Sequence, residues 1–238
     1  MPQKRVAIVQ SSYIPWKGYF DLIRSVDEFI LLDTVQFSKG SWRNRNRIKT
    51  KDGLAWLSIP VHTKGRLLQS IEDTVISDPT WATRHWRNIR DAYARAPFFE
   101  RYAEPFEAAY QSLRSDRLSY INRALTELAC QALGITTRIS SATDYGPGDG
   151  QTQRLVDLCR QAGATEYLSG PSARGYIDER LFTEAGIHLH FADYSGYPEY
   201  AQPYPPFEHA VSVLDLLFCT GPQALSFMKD LCAVRSPA

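Results

Sequence analysis

No apolar run in the chain approaches the ~18 residues that a membrane-crossing helix needs. The opening residues, MPQKRVAIVQ, pass straight into a strand-like run with no leader-peptide pattern. Both absences lead to the expectation of a cytoplasmic protein with no membrane partner. Cysteine is scarce: Cys130, Cys159, Cys219 and Cys232 stand apart in apolar, helix-like stretches, and none forms a CxxC pair. Such residues behave as small buried hydrophobes in a reducing compartment. The five histidines lack HxxxH or HExxH spacing, and His188 with His190, on one side of a strand, make too small a set, so no metal is expected. An excess of either charge is missing too. The 27 basic and 26 acidic residues leave a net charge of +1, which disfavours a general nucleic-acid binder. P-loop and GxSxG spacings are absent, and no Ser or Cys lies in an activating motif. A reaction here would therefore go by direct transfer rather than through a covalent intermediate.

What is present is an alternation of strand and helix patterns. RVAIVQ (5–10), the helical YFDLIRSV and EFILLD (28–33) read as a parallel βαβ unit. Their polar ends, Gln10 and Asp33, would then stand at the carboxyl ends of neighbouring strands, where open α/β sheets take ligands. LAWLSIPV (54–61) reads as a further strand. Three helical segments follow, the first with Asp78 as N-cap and the last closing on Gly134. From residue 136 the strand–helix pattern returns, and the chain ends in a Pro- and Tyr-rich segment and two helices. The expected plan is an α/β core of residues 1–77 and 135–205, a helical insertion at 78–134, and C-terminal helices at 206–238 packing on the core.

Four stretches could carry chemistry. QSSYIPWKGYF joins the first strand to its helix, with Gln10, Tyr13, Trp16 and Gly18 at a place suited to an anion. QFSKGSWRNRNRIKT (36–50) reads as a loop that packs five Lys and Arg among Gln36, Phe37, Trp42, Asn44 and Asn46. Arg45 and the amides suit phosphates, carboxylates or hydroxyls, and the aromatics could stack on a ring. Asp33 just before it and Lys39 within it are candidate catalytic groups. SGPSARGY offers Ser169, Gly170, Ser172, Arg174 and Tyr176, again suited to an anion. In the last region Ser212 and Asp215 share one face of an apolar helix. A carboxylate there needs a partner, expected from the 43–47 arginines, and is a candidate base.

Taken in order, VAIVQSSYIPWKGYF, ILLDTVQFSKGSWRNRNRI, WLSIPV, YLSGPSARGYI and FEHAVSVLDLLFCTG resemble the WbqC-like protein family over nearly the whole chain. That family is associated with bacterial surface-polysaccharide clusters, and glycine or aminoacyl transfer has been suggested for some members. Carried onto this sequence, its motif positions include Gln10, Tyr13, Pro15, Gly18, Tyr19, Asp33, Gln36, Phe37, Lys39, Asn44, Arg45, Trp56, Pro60, Ser169, Gly170, Tyr176, Ser212 and Asp215. Ser11 and Cys219 depart from the common pattern. The resemblance implies an acyl or aminoacyl transferase acting on an amine such as an amino sugar or sugar nucleotide. No cofactor would be tightly bound; a CoA or phosphopantetheine thioester would serve as co-substrate, with a phosphate-bearing small molecule or a carrier protein as partner. The strand–YIPWKGYFDLI–strand layout also resembles the HIGH-type nucleotidyltransferases and ligases, which implies a nucleotide-binding-like core and, as an alternative, ATP-dependent chemistry. Trp16 to Tyr19 stand where that motif would be, without its histidines. A third reading is a non-catalytic carrier-protein or RNA binder using the basic stretch with the Arg-rich helix 84–95; its signature would be steep salt dependence without turnover.

Overall fold

The structure, a computed structural model, describes residues 3–146 and 148–231; Cys232 and the chain's end lie outside them. Five short strands form one parallel sheet: β1 (Arg5–Val9), β2 (Glu28–Leu31), β5 (Arg138–Ser141), β6 (Glu166–Ser169) and β7 (His188–Phe191). Their order is β5-β2-β1-β6-β7. The expected mixed α/β architecture is therefore present. Chain growth reverses between β1 and β6, so the sheet has a topological switch point at its centre.

The period-two alternation of strand side chains sorts the core into two layers. Ala7 and Phe29 face an apolar cluster with α1 (Lys17–Arg24), the inserted helices and α7 (Val213–Thr220). Val6, Ile8 and Ile30 face the opposite cluster, formed with α5 (Gln151–Gln161) and α6 (Glu179–Glu184). The insertion comprises α2 (Trp81–Tyr93), α3 (Phe99–Ser112) and α4 (Leu118–Leu133). Its Trp81, Trp86, Ile89, Phe106 and Ile121 belong to the same apolar cluster as the sheet. Helix α4 ends as its sequence predicts, on Gly134 at φ 70°, a conformation that suits glycine. Cys130, Cys159 and Cys219 are buried free thiols, each held in its neutral form by burial.

Several local expectations fail for identifiable reasons. The basic stretch is not all loop: Arg45–Thr50 is strand β3, paired antiparallel with β4 (Gly53–Ser58). Buried Asn46 and Ile48 alternate there with half-exposed Arg45 and Arg47, a strand pattern masked by its charges. Asp78 does not cap α2 from the N-cap position, which is Thr80; it accepts instead from the Thr80 amide and hydroxyl and from Arg84. Helix α7 starts at Val213, on the Ser212 cap, and the PQALSF stretch is a 3-10 turn.

One buried base in the insertion sets an acid limit. His85 Nδ1 meets the Tyr13 hydroxyl at 2.8 Å, and that hydroxyl also meets Tyr110. Burial is the main cause that lowers the imidazole from 6.5 to about 4; a hydrogen bond to the Ser58 backbone opposes it and Arg84 adds to it. Between those pH values the unfolded chain binds a proton that the folded chain refuses. Stability should therefore fall as the pH drops through 6.5, by up to ~3 kcal/mol near pH 4. Urea unfolding of His85→Asn should show a flatter slope over that window than wild type. Equal slopes would remove His85 from the account.

Candidate functional site

The loop after β1 carries a local conflict. Ile14 is buried at φ 36°, a left-handed conformation unusual for a β-branched residue. Asn46 of β3 holds it there, donating to the carbonyls of Tyr13 (3.1 Å) and Ile14 (2.7 Å). A second close approach follows at Gly18. A Cβ at that position would lie 2.3 Å from the Trp16 ring, so only glycine lets the indole lie over the first turn of α1.

These constraints shape two neighbouring cavities. The larger, about 660 Å³, lies at the carboxyl ends of β1 and β6, the switch point where open α/β sheets bind ligands. Its polar lining includes Gln10, Arg43, Gln151, Arg154, Ser169 and Ser172; Trp16, Tyr19, Tyr167, Tyr176 and Tyr194 add rings. Gln151 opens helix α5, so that helix turns its N-terminal dipole towards the cleft. The smaller, about 320 Å³, is lined by Ser12, Pro15, Trp16, Tyr19, Trp42, Arg43, Asn46 and Ala210. Trp16, Tyr19 and Arg43 belong to both linings and form the wall between them.

Arg43 is fixed at that wall. Its Nη1 donates to the Gln10 carbonyl (3.1 Å) and to Gln10 Oε1 (3.0 Å). Its buried Nε has no protein partner among the described residues. Burial lowers the guanidinium's proton affinity, while Tyr19 and Asp33 oppose that effect. Tyr19 donates to the same Gln10 carbonyl at 3.1 Å, and burial pushes its phenol well above the usual range. Among the described residues no carboxylate lines either cavity. The wall therefore carries a cation, and its unpartnered Nε suits an anion.

The expected residues divide accordingly. Gln10, Trp16, Ser169, Gly170, Ser172 and Tyr176 line the larger cavity; Trp16, Trp42 and Asn46 line the smaller. The three candidate catalytic groups do not reach either. Asp33 is buried and accepts from the Ser11 amide at 2.8 Å. Burial raises its carboxyl above the usual range, and Ser11 and Arg43 draw it back; its work is to hold the first loop. Asp215 is fully buried and receives Tyr200 (2.7 Å), Tyr93 (2.9 Å) and Gln202 (2.9 Å). These replace the arginine partner expected for it. Lys39 is exposed on the loop before β3.

The other residues expected to bind line neither cavity. Tyr13 and Phe37 are core residues. Gly18 accommodates Trp16, as above, and Gln36 donates to the Leu67 carbonyl. Asn44 donates to the Ile59 carbonyl. The Arg45 guanidinium lies 4.2 Å from the Trp56 ring centre and that of Arg174 4.2 Å from Phe191. Ser212 caps α7 by accepting from Leu214.

Sequence reading missed Arg43, Arg154, Gln151, Ser12 and Tyr194 as individual site residues. Arg43 sits within the basic stretch, but five cations there left nothing to single it out. Arg154 and Gln151 come from α5, which had no motif. Lys17, which lines neither cavity, is buried beneath the 193–210 segment, where it donates to the Pro198 carbonyl and faces the Tyr197 ring at 4.7 Å. Burial lowers its ammonium to about 8, with Asp21 and Asp215 pulling it back up.

Comparison with known proteins places this sequence in a family. The model described as the WbqC-like protein family matches residues 10–227. An uncharacterized protein of Mycobacterium tuberculosis (strain ATCC 25618 / H37Rv), Rv1507c, is 50% identical over 226 residues, covering 95% of this chain and 98% of that protein. No solved structure matches.

Proposed function

The chain belongs to the WbqC-like protein family, and from that premise we propose that it is a transferase moving an acyl or aminoacyl group from an activated, phosphate-bearing carrier to an amine. The observation that carries the reading is the shared wall: two cavities meet at Arg43, Trp16 and Tyr19. In this reading the donor's phosphates lie in the larger cavity against Arg154 and the 169–173 loop, and its acyl group reaches the shared wall at Arg43. The acceptor, such as an amino sugar or sugar nucleotide, enters the smaller one beside Trp42, Ser12 and Asn46.

The chemistry asked of the wall is modest. With a thioester donor, the amine nitrogen attacks the carbonyl carbon, the C–N bond forms and the C–S bond breaks. The amine's proton leaves with the thiolate or to solvent, so the amine must arrive uncharged. Arg43, tethered by Gln10, would balance the charge that grows on the carbonyl oxygen. Reactivity would thus come from donor activation and from holding the partners together.

A second reading draws on the cavity's position. A switch-point cleft beside a helix start also suits a nucleotide, as the HIGH-like layout implies for a ligase or nucleotidyltransferase. Incubation with CoA thioesters and amino-sugar acceptors, with and without ATP and magnesium, separates the two. Amide product without ATP supports acyl transfer. Product that requires ATP consumption contradicts it and favours the ligase.

A further inference from the structure

Leu67 and Leu68 are exposed to 81% and 85%, far more than any other large apolar side chain among the described residues. They stand side by side at the tip of the 63–70 loop. Scattered surface leucines need no explanation, but this tip is built. The Arg66 amide donates to Thr63, the Gln69 amide to Arg66, and the Gln69 side chain to the His62 carbonyl. From the neighbouring loop, Gln36 donates to the Leu67 carbonyl at 2.6 Å and the Phe37 amide donates to that of Gln69 at 2.9 Å. The loop's own hydrogen bonds thus hold the two leucines outward.

On the tip itself the charged side chains are cations. Lys64 and Arg66 are exposed within the loop, and Lys39 is exposed on the adjoining one. The carboxylates next along the chain are Glu72 and Asp73. Asp73 is engaged by the Ser70 hydroxyl at 2.7 Å and faces Arg117 at 3.6 Å. The tip also adjoins the candidate site: the Ile71 amide donates to the carbonyl of Val35, which lines the larger cavity.

We propose that the 63–70 tip is a membrane-surface anchor: Leu67 and Leu68 enter an anionic lipid interface, and Lys39, Lys64 and Arg66 meet its phosphates. A protruding apolar pair with exposed cations on its own loop and the adjoining one fits a soft, negatively charged boundary, where leucines reach the acyl region and cations stay at headgroup level. No helix of the described residues is long and apolar enough to cross a membrane; a surface anchor needs none, and here the proposal departs from the expectation, read from the sequence, of no membrane partner. It attaches the protein from one side and holds the Val35 wall of the cleft near the lipid surface. The anchor does not rest on the transferase reading and is tested without turnover.

The test is co-sedimentation of the full chain with vesicles of phosphatidylglycerol and phosphatidylcholine, against phosphatidylcholine alone. Wild type should sediment with the anionic vesicles and not with the neutral ones, and added salt should release it. Leu67→Asp/Leu68→Asp should lower binding about tenfold or more, and Lys39→Glu/Lys64→Glu/Arg66→Glu should abolish the preference for anionic lipid. All five side chains are exposed, so melting temperatures should stay near wild type. Three results would each overturn the proposal: wild type left in the supernatant at low salt, equal binding to neutral vesicles, or unchanged binding by the leucine double variant. The first would leave the tip to a protein partner instead.

Discussion

Arg43→Ala should lower kcat/KM for the native reaction by about a hundredfold or more, since losing a buried charge from a ligand costs ~3 kcal/mol. The guanidinium stands in the wall common to both cavities and is aimed by Gln10. Arg43→Lys keeps the charge but loses the planar fork, so it should recover only part of the activity. The alanine variant also leaves Asp33 without its neighbouring cation, and some fall in melting temperature is expected with it. Steady-state kinetics with wild-type and both variants, at a temperature where all are folded, separate the two effects. A hundredfold loss in the alanine variant that lysine fully repairs would mean that only charge matters; no loss would remove Arg43 from the site.

The second large effect is on stability. Asp215→Ala should destabilise the fold by ~3–5 kcal/mol, lowering the melting temperature by roughly 10 °C for a chain of this size. Asp215 gathers Tyr93, Tyr200 and Gln202, and its removal leaves the buried Tyr93 and part-buried Tyr200 hydroxyls without the carboxylate they donate to. Tyr200 and Gln202 belong to the 193–210 segment, whose Tyr194 and Ala210 line the two cavities. Ligand affinity should therefore fall along with stability. Asp215→Asn, which keeps an acceptor oxygen, should lose less of both. A melting temperature within a few degrees of wild type for the alanine variant would contradict the assignment.

How much of this was legible beforehand differs from residue to residue. The βαβ start, the return of the pattern after residue 136 and the Gly134 stop were readable because apolar periodicity and glycine chemistry are local signals. Gln10 and Asp33 do follow the carboxyl ends of β1 and β2, as the same logic expects, and Gln10, Trp16 and the 169–172 loop line the larger cavity. Asp33 and Asp215 misled because an acidic side chain in an apolar context is ambiguous. It is either a reagent facing a cavity or a buried acceptor for distant donors, and Tyr93, Tyr200 and Gln202 lie far away in sequence. Asn46 shows the same limit from the other side: chosen as a ligand contact, it spends its amide on the strained Ile14 turn while one edge of it still lines the smaller cavity. Arg154 had no local signal at all, since only the crossing of β5 to β6 brings α5 to the cleft. The strand character of 45–50 was hidden because its alternating side chains are nearly all charged or polar, so hydrophobic periodicity could not reveal it.

The claim on which the functional reading depends is that the switch-point cleft receives a phosphate-bearing molecule. Thermal-shift titration of wild type and an Arg43→Lys/Arg154→Ala variant with CoA thioesters, sugar nucleotides and ATP tests it directly. The account predicts a concentration-dependent rise in melting temperature with at least one of these compounds, strongly reduced in the variant. No rise with any of them, or an equal rise in wild type and variant, would contradict it.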